Sequence, residues 1–231
     1  MTDTCDTVMG ELLSPILSLQ GRIDDSLYFL RRDGSFVYTH GYYHPTPGFF
    51  IGKIIHYPSP TGDENIWGRR YAAIHKVWDK GVHKAIQNDV QYKQHFTIDP
   101  SLDPKVPPPL VARYVFEFPL KDFRGYFEPH RGLIWCSQAQ PAVKGWAEET
   151  AALMDFPIEK MGVTGSLSYG VVEPADMDFD VIFRGTLEEN ERVRQKLYKL
   201  AAEPGRKVRE FDRDWPIRIY WKDYLLCPFF V

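Results

Sequence analysis

The sequence has few cysteines, no surplus of charge and no long apolar run, and each shortage removes a class of protein. Three cysteines, Cys5, Cys136 and Cys227, stand far apart in 231 residues. No C-x-x-C pair occurs, so neither a zinc ribbon nor a disulfide framework is supported, and a reducing, cytoplasmic setting is expected. Lys and Arg number 28 against 31 Asp and Glu, a formal net charge of −3. That balance argues against a chain that coats nucleic acid or anionic membrane by bulk charge. Acids and bases cancel across residues 1–140 and acids are in slight excess after them, so little binding to generic duplex DNA is expected at physiological salt. No apolar run approaches the roughly 18 residues of a membrane-spanning helix, so no membrane partner is expected. The first stretch, MTDTCDTVMGELLSPILSLQ, lacks a basic leading region and carries acids before its apolar part, so a secretory leader is not expected. There is no internal repeat and no low-complexity tract. What remains is an ordinary globular mixture, 44% hydrophobic and 26% charged, which sets aside disorder, collagen and coiled coil. Aromatics at 15% suffice for a sizeable core. The length suits one large domain or two small ones, at roughly 100–200 residues each.

The chain divides near Gln140-Pro141, into a β-rich region over 1–140 and a more regular α+β region over 141–231. Residues 26–31, 35–40 and 48–57 are rich in aromatic and β-branched side chains and read as strands, with Asp33-Gly34 as the tight turn of a hairpin. Residues 69–77 and 110–118 read as further strands, and 79–96 as a helix with Val82, Ile86 and Val90 on one face. Residues 99–109 carry five prolines and read as a loop; 123–135, with Gly125, Pro129 and Gly132, reads as irregular. Beyond the boundary, 141–156 reads as a helix opened by proline. Residues 161–164 and 178–183 read as short strands, 187–202 as a helix with acids early and bases late, and 207–211 and 217–221 as two more strands. The order is α-β-turn-β-α-β-β, an α+β pattern.

One segment carries recognisable chemistry: Met161-Gly-Val-Thr-Gly-Ser-Leu-Ser-Tyr-Gly-Val-Val-Glu-Pro-Ala-Asp-Met-Asp-Phe-Asp-Val-Ile-Phe183. A strand ends in Gly165-Ser166, a connection follows, and Asp178-Phe179-Asp180 enters the apolar run Val181-Ile182-Phe183. On a strand, residues i and i+2 share a face, so Asp178 and Asp180 present two carboxylates together while Phe179 turns to the core. Paired carboxylates on a rigid strand suit a hard cation, Mg²⁺ in particular, which takes one or two carboxylates plus substrate phosphates. Gly165 lets the backbone approach a phosphate, and Ser166 has N–H and O–H to donate. With no ligand, the same acids would form a solvated edge.

This pattern resembles the nucleotidyltransferase superfamily named for polymerase beta, whose signature is a hydrophobic strand, a Gly-Ser or Gly-Gly turn, and Asp-hydrophobic-Asp on the next strand. It is closest to the stand-alone predicted nucleotidyltransferases of archaea and some bacteria. In those, a β-rich region precedes a minimal nucleotidyltransferase domain, a mixed sheet with helices. The resemblance covers about 141 to 231 and is loose before that. It implies transfer of a nucleoside monophosphate from an NTP to a hydroxyl acceptor not identified by the sequence, with Mg²⁺ or Mn²⁺ held by Asp178 and Asp180 and the triphosphate by Gly165 and Ser166. It also implies a third carboxylate on a later strand. Here Arg218 stands where that acid is expected, with Glu210, Asp212, Asp214 and Asp223 nearby. Arg218 suits bidentate contact with nucleotide phosphates or is an ordinary exposed strand residue. The alternative function is a catalytically inactive module that binds nucleotide or a partner on the same fold; a third reading is an antitoxin-like partner of the minimal nucleotidyltransferase kind.

Other features are weaker. His40 and His44 are four apart but beside Pro45 and not on a helix, where that spacing serves metal ligation. Cys136-Ser137 has no catalytic partner in the sequence. The aromatic run Tyr38, Tyr42, Tyr43, Phe49 and Phe50, near Arg31, Arg32 and Lys53, has the composition of a base-stacking surface, but is expected to be sheet core.

Overall fold

Alternating aromatic side chains that need burial on both sides determine the first half of the molecule. The computed structural model describes residues 4–19, 21–39, 41, 42, 44, 46–62, 64–73, 116–172 and 178–203. Within them the protein is α+β, with a curled antiparallel sheet and helices. Helix α1 (Thr4–Leu12) leads into β1 (Leu13–Ser14). The sheet continues with β2 (Tyr28–Arg31), β3 (Phe36–Thr39), β4 (Phe49–Pro58), β5 (Glu64–Ile66), β6 (Arg69–Ala73), β7 (Phe116–Pro119) and β8 (Phe123–Phe127). Its order is β1-β8-β2-β3-β4-β6-β5. The opposite edge of β4 from β3 is shared: Phe49–Gly52 pair with β7, and His56–Pro58 with β6.

The hairpin expected at Asp33-Gly34 is present. Gly34 adopts φ 90, the Asp33 carboxylate accepts from Ser35 N–H at 2.9 Å, and the buried Arg31 guanidinium reaches Asp33 at 2.6 Å. Strand alternation splits the side chains between two clusters. Phe29, Val37, Phe50 and Ile54 fill one with Phe118, Phe123 and Tyr126. Tyr28, Leu30 and Phe36 fill the other with Phe127, Trp67 and, from α1, Val8, Met9 and Leu12.

Residues 123–135, expected to be irregular, form strand β8 and the start of helix α2 (Pro129–Ala139). The apparent breakers have other uses. A Cβ on Gly125 would sit 2.4 Å from the Ser14 carbonyl oxygen, so glycine there permits the β1–β8 pairing rather than ending a strand. Pro129 opens the helix, where its missing N–H is not needed, and the Glu128 side chain caps it by accepting from Arg131 N–H at 2.7 Å.

Helix α3 (Pro141–Met154) follows directly, then β9 (Met161–Val163), the single turn α4 (Gly165–Ser168), β10 (Val181–Phe183) and helix α5 (Leu187–Ala202). Strands β9 and β10 pair antiparallel, Val163 opposite Val181 and Met161 opposite Phe183. Leu133 and Cys136 of α2, Val143, Ala147 and Met154 of α3, Met161, Val163, Leu167 and Val193 form one core. The boundary expected near 140–141 thus falls between two helices that share this core. Thr186 caps α5 by accepting from Glu189 N–H, and the Glu189 side chain returns the bond to Thr186 N–H. The helix expected at 79–96, most of the strand at 110–118 and the strands at 207–211 and 217–221 lie outside the described residues. Among the described residues, no helix is long and apolar enough to cross a membrane.

Candidate functional site

The β9–β10 ladder extends one residue beyond the paired strands and thereby places Asp180. Thr164 N–H donates to the Asp180 carbonyl at 2.9 Å. Asp178 and Asp180 are both open to solvent, whereas Phe179 between them is half-buried and meets the Trp146 ring at 5.9 Å. The alternation read from Asp178-Phe179-Asp180 therefore holds just before the strand proper. Burial on one side, and then the charge of Asp178, push the Asp180 carboxyl above its ordinary range.

The Gly165-Ser166 turn lies against this carboxylate. Gly165 adopts φ 63, and a Cβ there would fall 2.6 Å from Asp180 Oδ2. Only glycine meets both conditions, the left-handed backbone and the missing volume. The Ser166 hydroxyl is half-buried and makes no hydrogen bond with the described residues. Ser168 closes the turn by donating its hydroxyl to the Gly165 carbonyl at 2.8 Å.

Tyr169, the next residue, fixes the turn to the N-terminal sheet. Its hydroxyl pairs with His56 Nε2 at 3.1 Å, and its carbonyl accepts from Trp67 Nε1 at 2.8 Å. Its ring packs on Phe36 at 4.9 Å and Tyr28 at 5.2 Å. Cys136 supports the same turn from below, donating Sγ–H to the Leu167 carbonyl at 3.1 Å. Burial raises that thiol to about 12, so Cys136 is a packing residue and not a nucleophile.

Polar groups of the sheet also feel the charge of Asp180. The phenols of Tyr28 and Tyr38 are raised first by burial; Asp180 adds to both shifts. Tyr38 shares a hydroxyl–hydroxyl bond of 2.7 Å with Ser26. The Ser26 carbonyl accepts from Thr164 Oγ1 at 2.9 Å. At the far end of β10, Arg184 joins the Glu128 and Asp24 carboxylates. Of the aromatic run expected to be core, Phe50 is fully buried and Tyr42 is exposed.

Gly165 and Asp180, singled out by sequence, are brought into contact, with Ser166 and Asp178 adjoining them. Arg218 and the acids Glu210, Asp212, Asp214 and Asp223 lie outside the described residues. Ser26 and Tyr28 were not legible as site neighbours, because packing and not spacing brings them here, whereas Thr164 and Tyr169 flank the Gly-Ser turn within the segment singled out by sequence. The one available signal was Tyr169, an aromatic closing the Gly-Ser-Leu-Ser turn. The donor set fits a hard divalent cation: two carboxylates, one already burdened by the other's charge, beside a glycine that leaves backbone open. Among the described residues no group of three or more metal-ligating side chains occurs. Comparison with protein-family profiles, curated proteins and solved structures finds no match to this chain.

Proposed function

We propose that the protein is a divalent-cation-dependent nucleotidyltransferase, moving a nucleoside monophosphate from an NTP to a hydroxyl acceptor and releasing pyrophosphate. The observation that carries this reading is the contact between Gly165 and the Asp180 carboxylate, which puts a Gly-Ser turn beside a carboxylate pair. Asp178 and Asp180 would hold Mg²⁺ or Mn²⁺. The bound ion would offset phosphate charge. Gly165 exposes its backbone to the triphosphate, and the Ser166 hydroxyl, with no partner among the described residues, is available to donate to it. In the transfer, the acceptor oxygen bonds to the α-phosphorus as the bond to pyrophosphate breaks, and the hydroxyl proton is lost. The balanced charge of the chain makes generic duplex DNA a poor acceptor.

The test is incubation of the full chain with each α-labelled NTP and Mg²⁺ or Mn²⁺, following pyrophosphate release and labelled product. Asp178→Asn and Asp180→Asn should each lower turnover by at least about a hundredfold, the scale of losing a main electrostatic contributor. Turnover that survives both substitutions overturns the reading. Nucleotide binding without turnover in the wild type would favour the inactive module.

A further inference from the structure

Strand β10 pairs along only one of its edges among the described residues. Thr164 N–H donates to the Asp180 carbonyl at one end of the β9–β10 ladder, and Arg184 N–H donates to the Lys160 carbonyl at 2.8 Å at the other. Between them Ile182 stands opposite Gly162. Hydrogen-bonded and non-hydrogen-bonded positions alternate in an antiparallel pair. Asp180, Ile182 and Arg184 therefore bond inward to β9, while Val181 and Phe183 turn their N–H and C=O groups outward. No described strand pairs with them there, since β9 and β10 form a sheet of their own.

The side chains sort by the same alternation. Val181 and Phe183, with Phe179, pack against the helical core. Asp180, Ile182 and Arg184 share the other face, Ile182 half-buried and the two charges exposed. A short apolar edge with open main-chain groups is a template for another strand. Its flanking charges have opposite signs and stand symmetrically about Ile182. Antiparallel pairing of two copies about a two-fold axis at Ile182 puts Val181 opposite Phe183 and Asp180 opposite Arg184, in both directions. A two-fold contact must be self-complementary in this way. Here main-chain groups, apolar side chains and charges all meet that condition in one register. Arg184 already joins Glu128 and Asp24, but Arg22 shares the Asp24 carboxylate, and a guanidinium has further donors to give. A carboxylate has lone pairs enough for more than one partner, so Asp180 can take this contact and a cation together.

We propose that the outer edge of β10 is a self-association site: two copies of the chain join their β10 strands antiparallel, each placing Arg184 beside the other's Asp180. This does not depend on the nucleotidyltransferase reading. A strand of three residues falls short of the roughly 1,000 Å² of a stable interface, so the dimer is weak and forms at raised concentration.

Sedimentation equilibrium of the full chain over a wide range of concentration tests this, with thermal midpoints as the control for folding. The wild type should move from the mass of one chain toward that of two. Val181→Pro removes an outward N–H that β9 does not use. It should weaken the dimer about tenfold, the scale of the hydrogen bonds lost across the axis. Asp180→Lys sets two cations against each other across the axis, and Arg184→Glu sets two acids, so each variant alone should stay single. Mixed, the two variants should pair, because opposite charges then meet at both ends. A wild type that stays single at every concentration overturns the proposal; a lowered midpoint in Val181→Pro would then assign the edge to another segment of this chain. A dimer unchanged by all three variants overturns it too, placing the contact elsewhere. Folded charge variants that do not pair when mixed overturn the register and the proposal with it.

Discussion

In the curled sheet, Phe29, Phe36, Phe50, Phe118, Phe123 and Phe127 are all buried at 2% exposure or less, and every described strand pairs antiparallel over its register. The β9–β10 pair is built otherwise. Its strands are three residues each, and Val181, Ile182 and Phe183 are all half-buried. Helices α2, α3 and α5 supply its core. The region with the tighter packing carries no part of the sequence motif, and the region with the motif is the less enclosed. Tyr169 reconciles the two. It leaves the motif turn and completes the sheet's own aromatic cluster, so the stable region holds the open one in place. A site built from carboxylates needs water and ligand access, which a saturated aromatic face does not give; the sheet therefore serves as a mount.

The largest test of this division is to remove the mount. Tyr169→Ala leaves a hole among Tyr28, Phe36 and Phe127 and should cost about 3–5 kcal/mol, the range for large aromatic truncations, in urea denaturation. Tyr169→Phe keeps the ring and loses the bond to His56, which should cost only about 1 kcal/mol. Equal losses from the two would show that the hydroxyl, not the ring, joins the regions.

A change on the open side should be smaller in stability and larger in function. Gly165→Ala forces a side chain into the left-handed region and against Asp180 Oδ2. The backbone cost is about 1–2 kcal/mol. Mn²⁺ affinity by calorimetry should fall with it, because the carboxylate must move. A stability loss with unchanged affinity would separate the turn from the site.

The smallest effect concerns pH at the sheet. His44 Nδ1 accepts from Ile51 N–H at 3.0 Å, so the folded state requires the neutral ring. Burial lowers its proton affinity below the ordinary 6.5, more than the Ile23 carbonyl and Asp25 raise it. The contribution is therefore fully present above about 6.5 and is lost as pH falls below that through the folded value. Thermal midpoints should drop between pH 7 and 5 in the wild type, and less so in His44→Gln. An equal drop in both would locate the pH dependence elsewhere.

Much of this was legible from particular residues. Asp33-Gly34 marked its hairpin because only a few residues adopt positive φ without cost. Pro141 marked the start of α3, and the acids and bases of 187–202 marked α5, because helix ends impose local chemistry. Gly125, Pro129 and Gly132 misled, since a glycine that permits close backbone approach and one that breaks a strand look alike in sequence. Gly132 lies inside α2, where a Cβ would meet Ser168 at 3.1 Å, a contact visible only once the two elements are packed.

The sequence by itself determined the alternation of Asp178, Phe179 and Asp180, the Gly165-Ser166 turn before it, and the α+β order, because each is governed by neighbours a few residues away. Tertiary structure alone decided that Asp180 rests on Gly165, that Tyr169 anchors the turn in the sheet, and that the Ser26 carbonyl accepts from Thr164. Those contacts join positions as far apart as Ser26 and Thr164. They are set by how a curled sheet and a small helical unit fill each other's surface, and no local periodicity encodes that fit.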